Sequence, residues 1–159
     1  MAKSAAGARI LVIDDEASLV LLARTVLEGD GHWVTSAATA GEAMAALARE
    51  RFDVMLCDVV LQGAPQGLAI VKWASEHLPR MKTIISSGLL IAQDSACPVF
   101  AVLEKPYRIT RLSRLVDEAM AQTHAEASNP DTQNPTGTNP AATDTTAERQ
   151  NSTVDRPKS

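Results

Sequence analysis

Carboxylates collect at the ends of two apolar runs of the sequence. Asp14 and Asp15 directly follow the run Arg9–Ile13, and Asp58 ends the run DVMLCD. Carboxylates held close together repel one another, so such a group favours a cation among them. Ligands that are all oxygen atoms select a hard cation, and Mg²⁺ is typically held by few protein ligands. The pattern predicts a Mg²⁺ site at which Asp58 is the candidate nucleophile toward a phosphoryl group.

Two other apolar runs end in groups that can stabilise a phosphoryl group. Lys105 follows the run VFAVLE, and Ser86 and Ser87 end the run KTIISS. An ammonium can neutralise one phosphoryl oxygen, and a hydroxyl can donate a hydrogen bond to another. Taken singly, each residue also fits an ordinary role in a turn, at a helix start or on the surface. Their shared position at the ends of apolar runs favours a site.

The runs that carry these residues alternate with amphipathic segments. Apolar residues from Leu19 to Leu27 recur at helical spacing, and Thr39 with Glu42 forms a capping box for a helix to about Arg51. Two further helices are predicted over GLAIVKWASEHL and from Tyr107 to His124, and HWVTSA is predicted as the second of the five strands. The alternation predicts an α/β fold, (βα)₅, with a doubly wound five-stranded parallel sheet. Sites in such sheets lie at the carboxyl ends of the strands, where these side chains would converge.

Whole-chain composition limits the function classes. The chain has 159 residues, which is enough for one sizeable core, and a net charge of −4 with a pI near 5.3. This acidity argues against a nucleic-acid or membrane partner. The two cysteines, Cys57 and Cys97, lack the spacing of a metal site or redox pair, and no segment is apolar enough to span a membrane. We therefore expect a cytoplasmic protein.

The composition changes sharply near residue 125. Residues 125–159 contain no Leu, Ile, Met, Phe, Tyr or Trp, and they carry four of the eight prolines. Such a segment cannot bury enough apolar surface to offset the entropy of ordering it. The sequence therefore predicts an N-terminal extension over 1–7, a domain over 8–124 and a disordered polar tail over 125–159. The tail could be a solubilising segment, or it could be a tether or docking segment.

Four motifs, in this order, resemble the receiver domain of two-component response regulators over about residues 8–124: VIDDE, LCDVVLQG, IISSG and LEKPY. The resemblance implies a flavodoxin-like receiver fold in which Asp58 accepts a phosphoryl group. It implies Mg²⁺ as the cofactor, bound by Asp15 directly, by Asp14 through water, by Asp58 and by the backbone carbonyl of Val60. Lys105, in the KP of LEKPY, is then the lysine that neutralises a phosphoryl oxygen. Ser87 fits the switch hydroxyl better than Ser86, because a small residue follows it.

The resemblance also implies partners. The phosphoryl group would come from a histidine kinase or a histidine phosphotransfer protein, and the signal would pass to an unknown downstream protein by contact. The domain would not be an enzyme beyond its own phosphotransfer and dephosphorylation. Because the 35-residue tail cannot hold an output domain, we expect a stand-alone receiver.

The chain departs from the family pattern at three places. Only 17 residues separate Ser87 from Lys105, and they include Pro98, so we expect a short or irregular fourth helix. Val102 stands where receivers commonly have an aromatic residue. Val60 and Leu89, which flank the path of a hydrolytic water in receivers, are apolar, so we expect slow dephosphorylation.

Two alternatives remain at this point. One is a receiver-like interaction module that does not depend on phosphorylation. The other is a Mg²⁺-dependent phosphohydrolase of the haloacid-dehalogenase kind, but neither DDEAS nor DVVLQ supplies the second acid of its D-x-D motif. A basic stripe of Arg108, Arg111 and Arg114 on the last predicted helix is either a solvated face or a docking surface for an acidic partner.

Overall fold

The computed structural model describes residues 7–88 and 98–128. These residues belong to the first of two units of the chain, Met1–Asn129. The second unit, Pro130–Ser159, lies outside the described residues, and so does the predicted tail beyond residue 128. The segment in which we predict a short or irregular fourth helix, 89–97, is also outside them.

Strands and helices alternate along the described residues. They are β1 Arg9–Ile13, α1 Ala17–Gly29, β2 Trp33–Ala37, α2 Ala40–Arg49, β3 Val54–Asp58, α3 Gln66–His77, β4 Lys82–Ser87, β5 Ala101–Glu104 and α4 Ile109–Ala127. The strands form one parallel sheet in the order β2-β1-β3-β4-β5. This order confirms the predicted doubly wound sheet, with β1, β3 and β4 side by side. Within the described ranges, no helix is both long enough and apolar enough to span a bilayer.

The helix ends follow from local chemistry, and several differ by one to three residues from the predicted bounds; helix α4, for example, begins at Ile109 and not at Tyr107. The Thr39 hydroxyl accepts a hydrogen bond from the Glu42 N–H at 3.1 Å, as the capping box predicts, while the Glu42 carboxylate accepts from the Ala38 N–H at 2.8 Å. Helix α2 ends at Arg49, about two residues early. Helix α4 continues to Ala127, three residues past the predicted end, because Ala and Glu favour helix and Glu126 pairs with Lys82 at 2.6 Å.

Two apolar layers cover the sheet. Side chains of β3 alternate between them, so Met55 and Cys57 pack with α2 and α3, while Val54 and Leu56 pack with α1 and α4. By the same alternation Asp58, the last residue of β3, is on the α1 and α4 side, opposite Cys57. All five residues of β3 are buried. The central strand therefore delivers a carboxylate to the edge of the sheet from a rigid, fully packed support.

Candidate functional site

Three carboxylates meet at the carboxyl edge of the sheet. Asp14 and Asp15 follow β1, and Asp58 ends the neighbouring strand β3. One carboxylate oxygen of each lies within 4.8 Å of the others. Asp14 and Asp58 are buried, with 4% and 8% of their surface exposed, while Asp15 is exposed. The structure thus brings together the acids that the sequence singled out.

A single ammonium group joins the two buried acids. Lys105 follows β5, and its Nζ donates to Asp14 Oδ2 and to Asp58 Oδ2, each at 2.8 Å. Burial lowers the pKa of the lysine, but the hydrogen bonds to both carboxylates and their charges outweigh it, so the pKa of Lys105 is raised. The lysine is therefore charged at neutral pH and offsets the repulsion between the two acids.

Backbone N–H groups fix the remaining oxygens of these two acids. The Glu16 N–H donates to Asp14 Oδ1 at 2.9 Å, and the Val60 N–H donates to Asp58 Oδ1 at 3.1 Å. In both cases the donor lies two residues after the acid, as in an Asx turn. With Lys105 on the other oxygen, each carboxylate is held at both ends. Such restraint orients Asp58 before any reaction takes place.

The loop after β3 is hydrogen-bonded to the third acid, Asp15. Asp15 Oδ2 accepts a hydrogen bond from the Gln62 N–H at 2.9 Å. Gln62 and Gly63 both have positive φ angles, of 52° and 77°, in a tight turn closed by reciprocal backbone bonds between Leu61 and Ala64. This link is not among the contacts predicted from the sequence. The Gln-Gly pair was its only signal, since glycine is favoured where φ is positive.

Helix α3 rests directly on the backbone of Asp58. A Cβ atom at Gly67 would lie 1.8 Å from the Asp58 carbonyl oxygen, so only glycine fits this approach. The Cys57 thiol lies 3.3 Å from the same oxygen and 3.7 Å from the Gly67 carbonyl oxygen, both acceptors for its S–H. Sequence reasoning also missed this contact, whose signal was a glycine in the first turn of a helix. The position of α3 therefore sets the position of the candidate nucleophile.

The two serines end β4, between the strands that carry Asp58 and Lys105. Ser86 is aligned with Asp58 in the β3–β4 register, and the Ser87 carbonyl accepts from the Lys105 N–H at 2.7 Å. Both serines are buried, with 1% and 3% of their surface exposed. Both are next to the site, and the choice of Ser87 as the switch hydroxyl stays a prediction. Leu89 lies outside the described residues.

The donor chemistry of the acidic group fits Mg²⁺. Over residues 7–88 and 98–128, the group consists of carboxylates alone, namely Asp14, Asp15 and Asp58. The neighbouring Cys57 packs in the α2 and α3 layer, on the opposite side of the strand from Asp58, and burial and then the charges of Asp58 and Asp14 raise the pKa of its thiol to about 12. An all-oxygen set with few protein ligands suits Mg²⁺ better than a transition metal. The carbonyl of Val60, a half-exposed residue beside Asp58, stays a predicted fourth ligand.

Comparison with known families decides the classification. Residues 10–117 match the response regulator receiver domain. The chain belongs to the response regulator receiver domain family. The receiver prediction made from the four motifs is therefore confirmed, together with the flavodoxin-like fold. Receiver domains are signalling domains of two-component systems, which supports a phosphoacceptor role.

Individual relatives agree with this classification. The chain is 32% identical over 116 residues to the DNA-binding transcriptional regulator NtrC of Salmonella typhimurium. The matched region covers 70% of this chain and 24% of NtrC. It is 33% identical over 125 residues to the sensor histidine kinase AruS of Pseudomonas aeruginosa, and the matched region covers 74% of this chain and 12% of AruS. Among solved structures, a CheY-like receiver domain protein from Methanospirillum hungatei has a TM-score of 0.70 at 28% identity, covering 76% of this chain and 99% of that one.

The curated relatives are much longer proteins. The chain spans about a quarter or less of the length of those it matches. The likeness therefore concerns their receiver domains and not their other parts. A stand-alone arrangement for this receiver stays a prediction.

Proposed function

We propose that this receiver accepts a phosphoryl group on Asp58 from a histidine kinase or a histidine phosphotransfer protein, and that it signals through contacts with a partner protein. One observation carries the proposal. Asp58 lies at the end of the buried central strand, with Oδ2 bonded to Lys105 at 2.8 Å and with two more carboxylates beside it. A surface aspartate has no such surroundings.

The transfer assigns a role to each group. A carboxylate oxygen of Asp58 attacks the phosphorus of the phosphohistidine, the P–N bond breaks, and the imidazole leaves and takes up a proton. Lys105 neutralises one phosphoryl oxygen, and the Ser87 hydroxyl donates to another. Asp14, Asp15, Asp58 and the Val60 carbonyl would hold Mg²⁺, which when bound neutralises phosphoryl charge. The chain itself contributes orientation, since Asp58 is held through both oxygens.

The test is labelling with a small phosphodonor. The full chain, incubated with acetyl phosphate and Mg²⁺, is expected to gain one phosphoryl group by intact mass, removable with hydroxylamine and absent when EDTA is added. Absence of labelling by acetyl phosphate and by every histidine kinase of the host would favour the phosphorylation-independent module. A phosphotransfer profile against those kinases identifies the natural donor.

Magnesium is expected to stabilise the folded domain. A ligand that binds only the native state adds about 1.4 kcal/mol to the free energy of unfolding at tenfold its Kd. Asp15→Asn should remove most of this gain, since it deletes an anionic ligand but leaves the two Lys105 pairs intact. Urea titrations with and without Mg²⁺ measure the difference. Glu16→Gln is the matched control, because it removes an adjacent charge that is not in the acidic group; an equal loss in both variants contradicts the assignment.

The phosphorylated form is expected to be long-lived. Val60 is 40% exposed beside the acceptor, and its apolar side chain cannot orient a hydrolytic water. Val60→Asn should therefore speed dephosphorylation several-fold, followed as the decay of the phosphorylated band on a phosphate-affinity gel. Trp33→Gln, which alters an exposed apolar residue at the opposite end of the strands, should not. Wild-type decay within seconds, or unchanged decay in Val60→Asn, would show that hydrolysis is controlled elsewhere.

A further inference from the structure

A cavity of about 720 Å³ opens at the amino-terminal edge of the sheet, away from the acidic site. Its walls are the end of α2 with the loop to β3, and the end of α3 with the loop to β4. Strand β3 starts directly after this loop at Val54 and ends at Asp58. The length of this strand, ~13 Å, separates the cavity from the phosphoacceptor. A molecule in the cavity would leave Asp58 accessible.

The floor of the cavity is apolar and incompletely covered. Leu47 and Met81 are buried there, whereas Phe52 and Leu78 are only half-buried. Pro79 adds an exposed apolar surface at the rim. An apolar side chain placed on this floor would remove both its own surface and that of Phe52 and Leu78 from water.

The rim of the cavity carries positive charge that forms no ion pair within residues 7–88 and 98–128. Arg49, Arg51 and Arg80 line the cavity and are exposed, and none pairs with a carboxylate in the described part of the chain. The two acids that line the same cavity, Glu50 and Asp53, are both hydrogen-bonded to Arg9. Arg9 binds Glu50 through its guanidinium at 3.0 Å and Asp53 through its backbone N–H at 2.8 Å.

We propose that this cavity docks an acidic segment of a partner protein, with an apolar side chain of the segment on the floor and its carboxylates on the three arginines. The combination of apolar floor and cationic rim selects this occupant. A small anion would use the arginines but not the floor, and these guanidiniums are exposed on separate elements and not gathered in a buried pocket. The chain's own residues 129–159 fit poorly, because they carry four acids and three bases.

The docking surface is separate from the phosphotransfer chemistry proposed above. It gives the receiver a second contact with a partner that does not compete with a kinase for the carboxyl edge of the sheet. The interaction should weaken with added salt, because exposed charges are screened over ~8 Å at 0.15 M ionic strength.

The test is a selection of short peptides from a random displayed library against the full, unphosphorylated chain. Enriched peptides should combine Asp or Glu with Leu, Ile or Phe. A labelled enriched peptide should bind about tenfold more weakly to Arg49→Gln/Arg51→Gln/Arg80→Gln, measured by fluorescence anisotropy, since three exposed ion pairs are lost. The matched control is Arg108→Gln/Arg111→Gln/Arg114→Gln, which removes the same charge from exposed positions on and beside α4 and should bind as wild type does.

Two further measurements complete the test. Replacing the apolar anchors of the peptide with Ser should also weaken binding, and amide chemical-shift changes should map to residues 47–53 and 77–81. The proposal is overturned if no peptide is enriched, if the enriched peptides are not acidic, or if the Arg108, Arg111 and Arg114 variant loses as much affinity as the cavity variant or more, which would place the acidic peptide on α4. Shifts at the same residues produced by ATP or inorganic phosphate, without peptide enrichment, would assign a small anion instead.

Discussion

Asp58→Asn is expected to lower phosphorylation of the domain by more than about 1000-fold, below detection in the labelling assay. The amide lacks the anionic oxygen that attacks phosphorus. The fold should persist. The Asn side chain keeps an oxygen to accept the Val60 N–H, and the charge repulsion with Asp14 and Asp15 is relieved.

The control for this variant is Asp117→Asn, which removes an exposed carboxylate of α4 that has no ion pair within the described ranges. It should label as wild type does. Circular dichroism and thermal melting of both variants verify the fold. Labelling that persists in Asp58→Asn, with its site located by mass spectrometry, would move the acceptor to another residue.

Gly67→Ala is expected to destabilise the domain by about 3 kcal/mol, near the upper end of what overpacking usually costs. The added methyl group would lie 1.8 Å from the Asp58 carbonyl oxygen and 2.8 Å from its carbon, so α3 and β3 must separate. Because the displaced atoms belong to the acceptor itself, labelling at Asp58 should fall as well. Urea unfolding measures the first effect, and acetyl phosphate labelling below the transition measures the second.

Gly41→Ala is a closely matched control. Gly41 is the second residue of α2, as Gly67 is the second residue of α3, but a Cβ there would have only the Thr39 hydroxyl within 4 Å, at 4.0 Å. The same substitution should therefore be neutral or slightly stabilising, since alanine restricts the unfolded chain. Equal effects in the two variants would mean that the cost comes from helix starts in general and not from contact with Asp58.

Much of the site could be predicted from the sequence because parallel sheets gather strand ends at one edge. The acids after β1 and at the end of β3, the serines at the end of β4 and the lysine after β5 had to meet once the strands were correctly identified. The three central strands, β1, β3 and β4, could be identified because they are buried along almost their whole length and read as short apolar runs. The capping box of Thr39 and Glu42 is equally local, since its two partners are three residues apart.

Only the tertiary structure decided which groups are bonded and which are in contact. Lys105 is 91 residues from Asp14 and 47 from Asp58, and both bonds depend on the lengths and directions of side chains across three strands. The approach of Gly67 to Asp58 depends on how closely α3 packs on the sheet. Around the apolar cavity, Arg9 binds Glu50 and Asp53, and the arginines of the rim form no ion pair within the described residues. Periodicity and turn chemistry act over a few residues and can be read along the chain, whereas these contacts depend on the three-dimensional distance between segments that are distant in sequence.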